Sequence, residues 1–200
     1  MKHALYLALA ASMGLAACAS KSPPQRLMAL PTPPLPATST QQGTAPVRWL
    51  QIGRVDLPEY WQARALRYRD AQDQIANWDG VVWAERVEVG VTRNLMVELA
   101  QRLPQPWQLC SQVCGDADNR PLRLLVALSP MDYRVHEAKL TAWAQTTVLS
   151  STGTILSHQT RPLTSTSTLT DPPAAQVQAT ASMIGMLADV MALQIQAQVR

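Results

Sequence analysis

Three cysteines carry the clearest chemistry in this sequence of 200 residues, and the first stands in a context that favours lipidation. Cys18 follows a lysine near the start, an uncharged apolar run and the small residues Ala16 and Ala17. This order is typical of a secretory signal, and the apolar run is shorter than the roughly 20 residues that span a bilayer. We therefore predict that residues 1–17 are a signal peptide and that Cys18 is the lipidated cysteine of a lipobox. The alternative is an ordinary signal peptide with a cysteine at the cut by chance.

A lipid on Cys18 would hold the protein at a membrane surface. The thiol can carry a diacylglycerol thioether, and the freed amine can carry a third acyl chain. Each buried methylene contributes ~0.8 kcal/mol, so several chains anchor far more firmly than one. Ala19 and Ser20 stand after Cys18, in place of the Asp that usually retains such proteins at the inner membrane of Gram-negative bacteria. We therefore expect the outer membrane, with the protein facing the periplasm.

The other two cysteines, Cys110 and Cys114, lie close together in the chain. An oxidising periplasm permits a disulfide between them, which would close a short loop and stabilise the fold modestly. Free thiols are the alternative. A metal site is disfavoured because two cysteines do not complete a tetrahedral shell and no histidine lies at the usual spacing. We predict no metal and no cofactor.

The remaining polar residues form no catalytic pattern. His136 and His158 fall in predicted strands without a serine and aspartate at a telling spacing, and the 8 glycines form no phosphate loop. The net charge of +3 comes from scattered arginines, so a nucleic acid partner is not expected. We predict a binding or assembly protein that is not an enzyme. An enzyme with an unrecognised site is the rival from a different class.

Proline dominates residues 18–46, which are predicted to be a tether with a short edge strand possible at residues 26–30. Residues 47–200 are long enough for one domain with a sizeable core. Its first half contains a strand buried from two sides at residues 47–55 and a turn at 57–60. Two short strands follow at 65–69 and 74–78 around a polar loop, and a helix runs from Ala84 to Pro104.

The second half of the domain has the strongest β pattern. A strand at residues 122–128 precedes an alternating segment at 133–149, a turn, and a returning strand at 154–166 whose outer face is rich in Thr, Gln and Ser. Residues 172–200 form a nearly uncharged helix capped by Asp171. Its wide apolar surface fits packing on the sheet better than partner docking. We predict an α+β domain, with a mixed or antiparallel sheet and two main helices on one face.

Several of these features together resemble the ABC-type transport auxiliary lipoproteins of the PqiC (YmbA) type. The resemblance rests on the lipobox, on Leu-Pro-Glu-Tyr at residues 57–60, on Arg-Tyr-Arg at 67–69 and on Trp-Ala-Glu at 83–85, where the first helix starts. The long hairpin at 138–166 and the terminal helix also fit, so the resemblance covers nearly all of the chain after Cys18.

The resemblance implies a structural role in lipid transport. Such lipoproteins are similar to outer-membrane partners of MCE-type systems, in which an inner-membrane ABC transporter or permease pairs with a periplasmic MCE-domain protein that forms a path for lipids. The lipoprotein would dock the outer end of that path, and Leu57, Pro58 and Tyr60 would shape the docking face. Alternatively these residues only make a turn, and Trp83 only packs under the first helix.

Two further questions stay open at the level of sequence. An assembly lipoprotein of another outer-membrane machine, such as lipopolysaccharide export, can share a similar architecture. The Thr-rich face could also serve a homo-oligomer, although nothing in the sequence demands one.

Overall fold

A computed structural model describes residues 24–34, 47–104, 106–112, 114–115 and 119–198. The predicted signal peptide, the lipidation site at Cys18 and residues 19–23 and 35–46 of the predicted tether lie outside the described residues.

The described residues form eight strands and two long helices. The strands are β1 (Arg26–Met28), β2 (Arg48–Ile52), β3 (Ala65–Arg69), β4 (Ile75–Trp83), β5 (Trp107–Cys110), β6 (Leu122–Arg134), β7 (Lys139–Leu149) and β8 (Ile155–Thr166). The helices are α1 (Val87–Arg102) and α2 (Pro172–Ala197), and single 3₁₀ turns occupy Glu59–Trp61 and Val135–Glu137. Strands and helices share one core, which confirms the predicted α+β class with a mixed sheet.

β6 is the central strand of the sheet and pairs along both of its edges. One edge is antiparallel to β7, which continues to β8. The other edge is shared, because β2 pairs with the first part of β6 and β3 with its last residue, both in parallel. β5 extends the sheet beyond β2, and β4 and β1 extend it beyond β3. Two short half-sheets therefore join a single long strand.

The segment between β2 and β3 fills the gap that this branching leaves beside β6. The Gly53 amide donates to the carbonyl of Leu124 at 3.0 Å, and the Asp56 amide donates to Val126 at 2.9 Å. The Leu128 amide donates back to the Asp56 carbonyl at 2.9 Å. The backbone groups of β6 thus stay paired between its two parallel neighbours, as buried backbone polar groups must.

Both helices cover the same face of the sheet, as predicted. The aliphatic residues at fourth positions of α1 are fully or almost fully buried, and so are Met183 and Leu187 of α2. The wide apolar surface of α2 is therefore part of the core. Two glutamines of α2 are also buried, and each binds the sheet: Gln176 accepts from the Trp78 indole at 2.8 Å, and Gln194 accepts from the Thr146 hydroxyl at 2.6 Å.

The bounds of α1 follow from its flanking residues. The helix begins at Val87, later than predicted, because Arg86 has an extended backbone with ψ 119°. It ends at Arg102, since Leu103 precedes Pro104 and is extended with ψ 131°. A residue before proline is driven out of the helical region by the proline ring.

The predicted single segment at residues 133–149 is wrong, because it contains a reversal of the chain. β6 continues to Arg134, the 3₁₀ turn follows, and Ala138 has a left-handed backbone with φ 45° before β7 begins. His136 lies in this turn and not in a strand, whereas His158 lies in β8 as predicted. The last buried residues of β6, Met131 and Tyr133, have odd numbers, whereas the buried residues of β7 have even numbers, starting at Leu140. That change of phase marks the turn.

Other strand bounds also differ from the sequence prediction. β2 ends at Ile52 because Gly53 and the following residues leave the ladder, and β4 runs five residues further than predicted, to Trp83. β5 was not predicted. It has 4 residues and begins directly after a proline, which is too short for an alternating pattern to stand out.

Candidate functional site

The Leu-Pro-Glu-Tyr turn lies where β6 changes its parallel partner from β2 to β3. Leu57 is buried, Pro58 and Tyr60 are partly exposed, and Glu59 is exposed. The Trp61 amide donates to the Pro58 carbonyl at 2.8 Å, which closes the 3₁₀ turn. The structure therefore brings the predicted residues together in one tight, well-paired turn.

Side chains of this turn bind the backbone of β6 at Met131. The Tyr60 hydroxyl donates to the Met131 carbonyl at 2.9 Å, and the buried Trp61 indole donates to the same oxygen. The Met131 amide in turn donates to the Tyr60 hydroxyl at 3.3 Å. On the edge of β6 that faces the turn, β2 pairs only with residues 122–124 and β3 only with Arg134. Among the described residues, Met131 has no strand partner on that edge, and the turn supplies the partners of its backbone groups.

A charged pair adjoins the Tyr60 hydroxyl. The Asp132 carboxylate lies 3.0 Å from that hydroxyl and 2.6 Å from Nε of Arg69. Burial raises the pKa of Tyr60, and the Asp132 carboxylate adds to the rise. The hydrogen bond to Asp132 raises the pKa of Arg69. Tyr60 is therefore a neutral hydrogen-bond donor at physiological pH.

The space within this cluster is too small for a ligand. The cavity beside Tyr60, Arg69 and Asp132 has a volume of about 10 Å³, about one water probe. The polar groups of the cluster thus bind one another and hold the turn. The surface left for a partner is the outer side of the turn, at Pro58 and Glu59.

Sequence reasoning missed the partners of this turn. In the sequence, Arg69 belongs to the Arg-Tyr-Arg segment of the resemblance, and nothing connects Met131 or Asp132 with the turn. The available signal was Pro130, because a proline inside a strand pattern indicates a bulge or an edge.

Cys110 and Cys114 are brought together at the end of β5. A disulfide joins their sulfur atoms, and their Cα atoms lie 6.2 Å apart, a usual spacing for a bridge. That the bridge forms in the oxidising periplasm stays our prediction. β5 is separated from β6 by β2 in the sheet, so the disulfide and the Leu-Pro-Glu-Tyr turn are held by different strands.

A groove that the sequence did not predict lies between α1 and the turn after β5. Its volume is about 570 Å³, and it is lined by Arg54, Val89, Thr92, Arg93, Met96, Val97, Ser111 and Gln112. Two hydrogen bonds of 2.8 and 2.7 Å hold Arg93 against Glu85. No hydrogen bond or ion pair engages the Arg54 guanidinium within the described part of the chain.

The two histidines considered as candidates for catalysis, His136 and His158, lie in different elements. His136 is exposed in its turn, and the ring of His158 lies 2.9 Å from the Thr147 hydroxyl on the open face of the sheet. Among residues 24–34, 47–104, 106–112, 114–115 and 119–198, no three His, Cys, Asp or Glu side chains could hold a metal ion. None of the helices in these ranges has the length and apolarity to cross a membrane.

Comparison with known proteins gives one family and several similar structures, among them the following two. An uncharacterized protein has a crystal structure that matches with 17% identity and a TM-score of 0.69, over 86% of this chain and 99% of that one. Protein XCC0632 from Xanthomonas campestris, of family DUF330, matches with 12% identity and a TM-score of 0.64, over 87% and 98% of the two chains. At these identities the likeness shows the fold alone. A search of curated proteins finds no match.

The family result covers most of the domain. The ABC-type transport auxiliary lipoprotein component matches residues 29–192, from the end of β1 to the last turns of α2. The match therefore includes the Leu-Pro-Glu-Tyr turn, its partners on β6, and both helices. On this evidence the chain belongs to the ABC-type transport auxiliary lipoprotein family.

Proposed function

We propose that this protein is a periplasmic accessory subunit of an MCE-type transport system, anchored in the outer membrane by lipid on Cys18. It would dock the periplasmic MCE-domain protein, whose inner-membrane permease and ABC components drive lipid movement, and so support envelope integrity. The protein itself would perform no catalysis. The observation that carries the proposal is the family match over residues 29–192, since the family serves ABC-type transport.

The rigidity of the Leu-Pro-Glu-Tyr turn supports its proposed role in docking. Tyr60 and Trp61 fix the turn to β6 through Met131, so Pro58 and Glu59 are presented without further ordering. A surface that is ordered before binding loses less conformational entropy when the partner arrives. Leu57 would contribute from below, as the buried residue that seats the turn.

Co-purification tests the docking proposal. The full lipidated chain, extracted in mild detergent, is expected to capture an MCE-domain protein. The charge reversal Glu59→Arg should weaken capture at least several-fold, because Glu59 is exposed on the turn. Asp79→Arg, an equally exposed charge reversal on β4, should leave capture unchanged. Capture of lipopolysaccharide-export proteins in place of an MCE protein would favour the rival function, and capture of neither would reject the proposal.

The anchor is tested separately. Cys18→Ala should leave the protein soluble in the periplasm or uncleaved, whereas the unchanged chain should fractionate with the outer membrane. Mass spectrometry of the outer-membrane fraction should show acyl chains on Cys18. An acylated, membrane-bound Cys18→Ala variant would overturn the assignment of the lipobox.

A further inference from the structure

The strand directions place several connections at the same end of the sheet. β3 and β6 both run towards it, since Arg69 lies opposite Arg134, and β8 ends there opposite the start of β7. We call this end the entry end, because the chain enters β1 from it. The entry end comprises the β3–β4 turn (residues 70–74), the 3₁₀ turn Val135–Glu137 and the link into α2 (residues 167–171). The opposite end, with the β7–β8 turn at residues 150–154, is the far end.

The chain is held on the domain soon after the predicted lipidation site. The Pro24 carbonyl lies 3.8 Å from the position that a Cβ on Gly80 would take, and β1 pairs with β4 from Arg26 onwards. Leu30 is buried, and the Asn94 amide donates to the Pro31 carbonyl at 2.7 Å. The domain therefore begins at Pro24 at the latest.

The length of chain before Pro24 is short in comparison with the domain. The six residue steps from Cys18 to Pro24 span at most ~20 Å when fully extended. The pairings of Leu27 with Val82 and of Val82 with Ala65 place β1 about four residue steps, or ~13 Å, from the entry end, where Arg69 meets Arg134. The start of β6 at the far end is about eight steps, or ~26 Å, away in the other direction. The segment before Pro24 is therefore long enough to reach a bilayer at the entry end and too short to reach one at the far end.

Two exposed leucines lie near the place where the chain joins the domain: Leu27 on β1, beside Val82, and Leu169 in the link into α2. Leu27 is 59% exposed and Leu169 is 46% exposed. They flank the ion pair between Arg26 and Asp171, which ties β1 to the start of α2. Exposed leucines beside a lipidated segment add apolar area that can enter the headgroup region.

The charges of the entry end largely neutralise one another. Arg134 pairs with Asp73 at 2.8 Å, and Lys139 pairs with Glu137. The hydrogen bond from Arg26 lowers the pKa of Asp171, so this carboxylate stays ionised and paired. An end with paired charges offers little attraction to anionic lipids. Contact with a bilayer would therefore depend on the short segment between Cys18 and Pro24 and on the two exposed leucines.

We propose that the entry end rests on the bilayer that holds the lipid of Cys18, with Leu27 and Leu169 at the level of the headgroups. The far end then points into the aqueous space. This inference depends on the lipid anchor of the proposed function and adds an orientation to it. It does not depend on which partner the protein docks.

Energy transfer to labelled lipids tests the orientation. The full lipidated chain is reconstituted in vesicles of phosphatidylethanolamine and phosphatidylglycerol that carry an acceptor dye on the headgroups. One donor dye is attached at Gln72→Cys, in the β3–β4 turn, or at Thr152→Cys, in the β7–β8 turn, with the native cysteine pair left oxidised. Transfer from position 72 should exceed transfer from position 152 several-fold, and 0.5 M NaCl should not change the ratio.

Two control variants separate the effect of the short anchoring segment from the effect of the exposed leucines. A flexible Gly/Ser insert of about 20 residues after Ser22, with a root-mean-square span of ~25 Å, should bring the ratio close to one. Leu27→Asn with Leu169→Asn should lower the ratio in the native-length chain. Equal transfer from both positions, greater transfer from position 152, or loss of the difference in salt would overturn the orientation. If mass spectrometry finds Cys18 acylated in that sample, the anchor survives; an unacylated Cys18 overturns both proposals.

Discussion

The two sides of β6 are built in different ways. On one side, β7 and β8 have 11 and 12 residues and follow β6 directly in the chain, so every pairing is between sequence neighbours. On the other side, β2 and β3 have 5 residues each and pair with β6 from much earlier positions. The β6–β8 meander is held by continuous backbone ladders. The short-strand side needs side chains to complete its hydrogen bonds, as Tyr60 and Trp61 do at Met131.

Because of this difference, large side chains should contribute more to the free energy of unfolding on the short-strand side than on the meander. On the short-strand side a single aromatic residue joins elements that are distant in sequence. On the meander the backbone already joins them, and the outer-face side chains are free to vary. Substitutions on the two sides should therefore change the free energy of unfolding by different amounts.

The largest expected effect is at Trp61. Trp61→Ala removes a buried indole, its contact with Trp83 at 6.4 Å between ring centroids, and its bond to Met131. Loss of a buried aromatic costs about 3–5 kcal/mol of unfolding free energy. Trp143→Ala on β7 should cost within ~0.5 kcal/mol, since that side chain is 48% exposed. Chemical denaturation of both variants measures these losses. Equal losses of unfolding free energy would refute the proposed difference between the two sides of β6.

The next effect concerns the disulfide at the end of β5. Replacing both Cys110 and Cys114 by Ser should lower the unfolding free energy by about 2 kcal/mol, the entropic value for so short a loop. Reduction of the unchanged protein should give the same shift of the denaturation midpoint. Reduction of the double variant should give none, and a shift there would point to another cause.

A smaller effect is expected at Tyr60. Tyr60→Phe should cost about 1–1.5 kcal/mol, because the Met131 carbonyl loses a donor and the Met131 amide loses an acceptor. Tyr68→Phe is the matched control: Tyr68 stacks on Trp78 with 4.1 Å between centroids, and its ring is retained. Because the folded pKa of Tyr60 is raised, its contribution is complete below about pH 10 and is lost as pH rises further. Tyr60→Phe should flatten the alkaline fall of stability.

The smallest effect is expected at the start of α1. The hydrogen bonds from Arg93 lower the pKa of Glu85, so this pair stabilises the fold above the unfolded pKa of about 4.3 and ceases to do so as pH falls. Both side chains are a third or more exposed, so the contribution is below ~1 kcal/mol. Glu85→Gln should therefore lower stability slightly at pH 7 and not at pH 3. An equal loss at both values would exclude the ion pair as its cause.

The meander and α2 could be predicted from the sequence because their patterns are long and regular. The Thr-rich outer face of β7 and β8 and the apolar stripe of α2 lie where expected. The reversal at Ala138 was missed because alternation resumes after it in another phase. β5 was missed because 4 residues carry too little pattern.

The site was predicted in part. Leu57, Pro58 and Tyr60 stand together in sequence, so their turn could be recognised from local spacing. Their partners on β6 lie 71 residues further along, in the case of Tyr60 and Met131, and only the fold brings them together. The same applies to the groove beside Arg54, which is lined by three separate segments.

The place of β6 in the sheet has a consequence for an exported chain. In the export that we propose, translocation would deliver the N terminus first, so β1 to β5 and α1 would reach the periplasm before the strand on which both half-sheets are built. Until β6 follows, those strands have open edges and their apolar residues lack a cover, a state that invites association with other chains. We therefore expect the nascent protein to need holdase chaperones during export, and expect that need to end when residues 122–134 emerge.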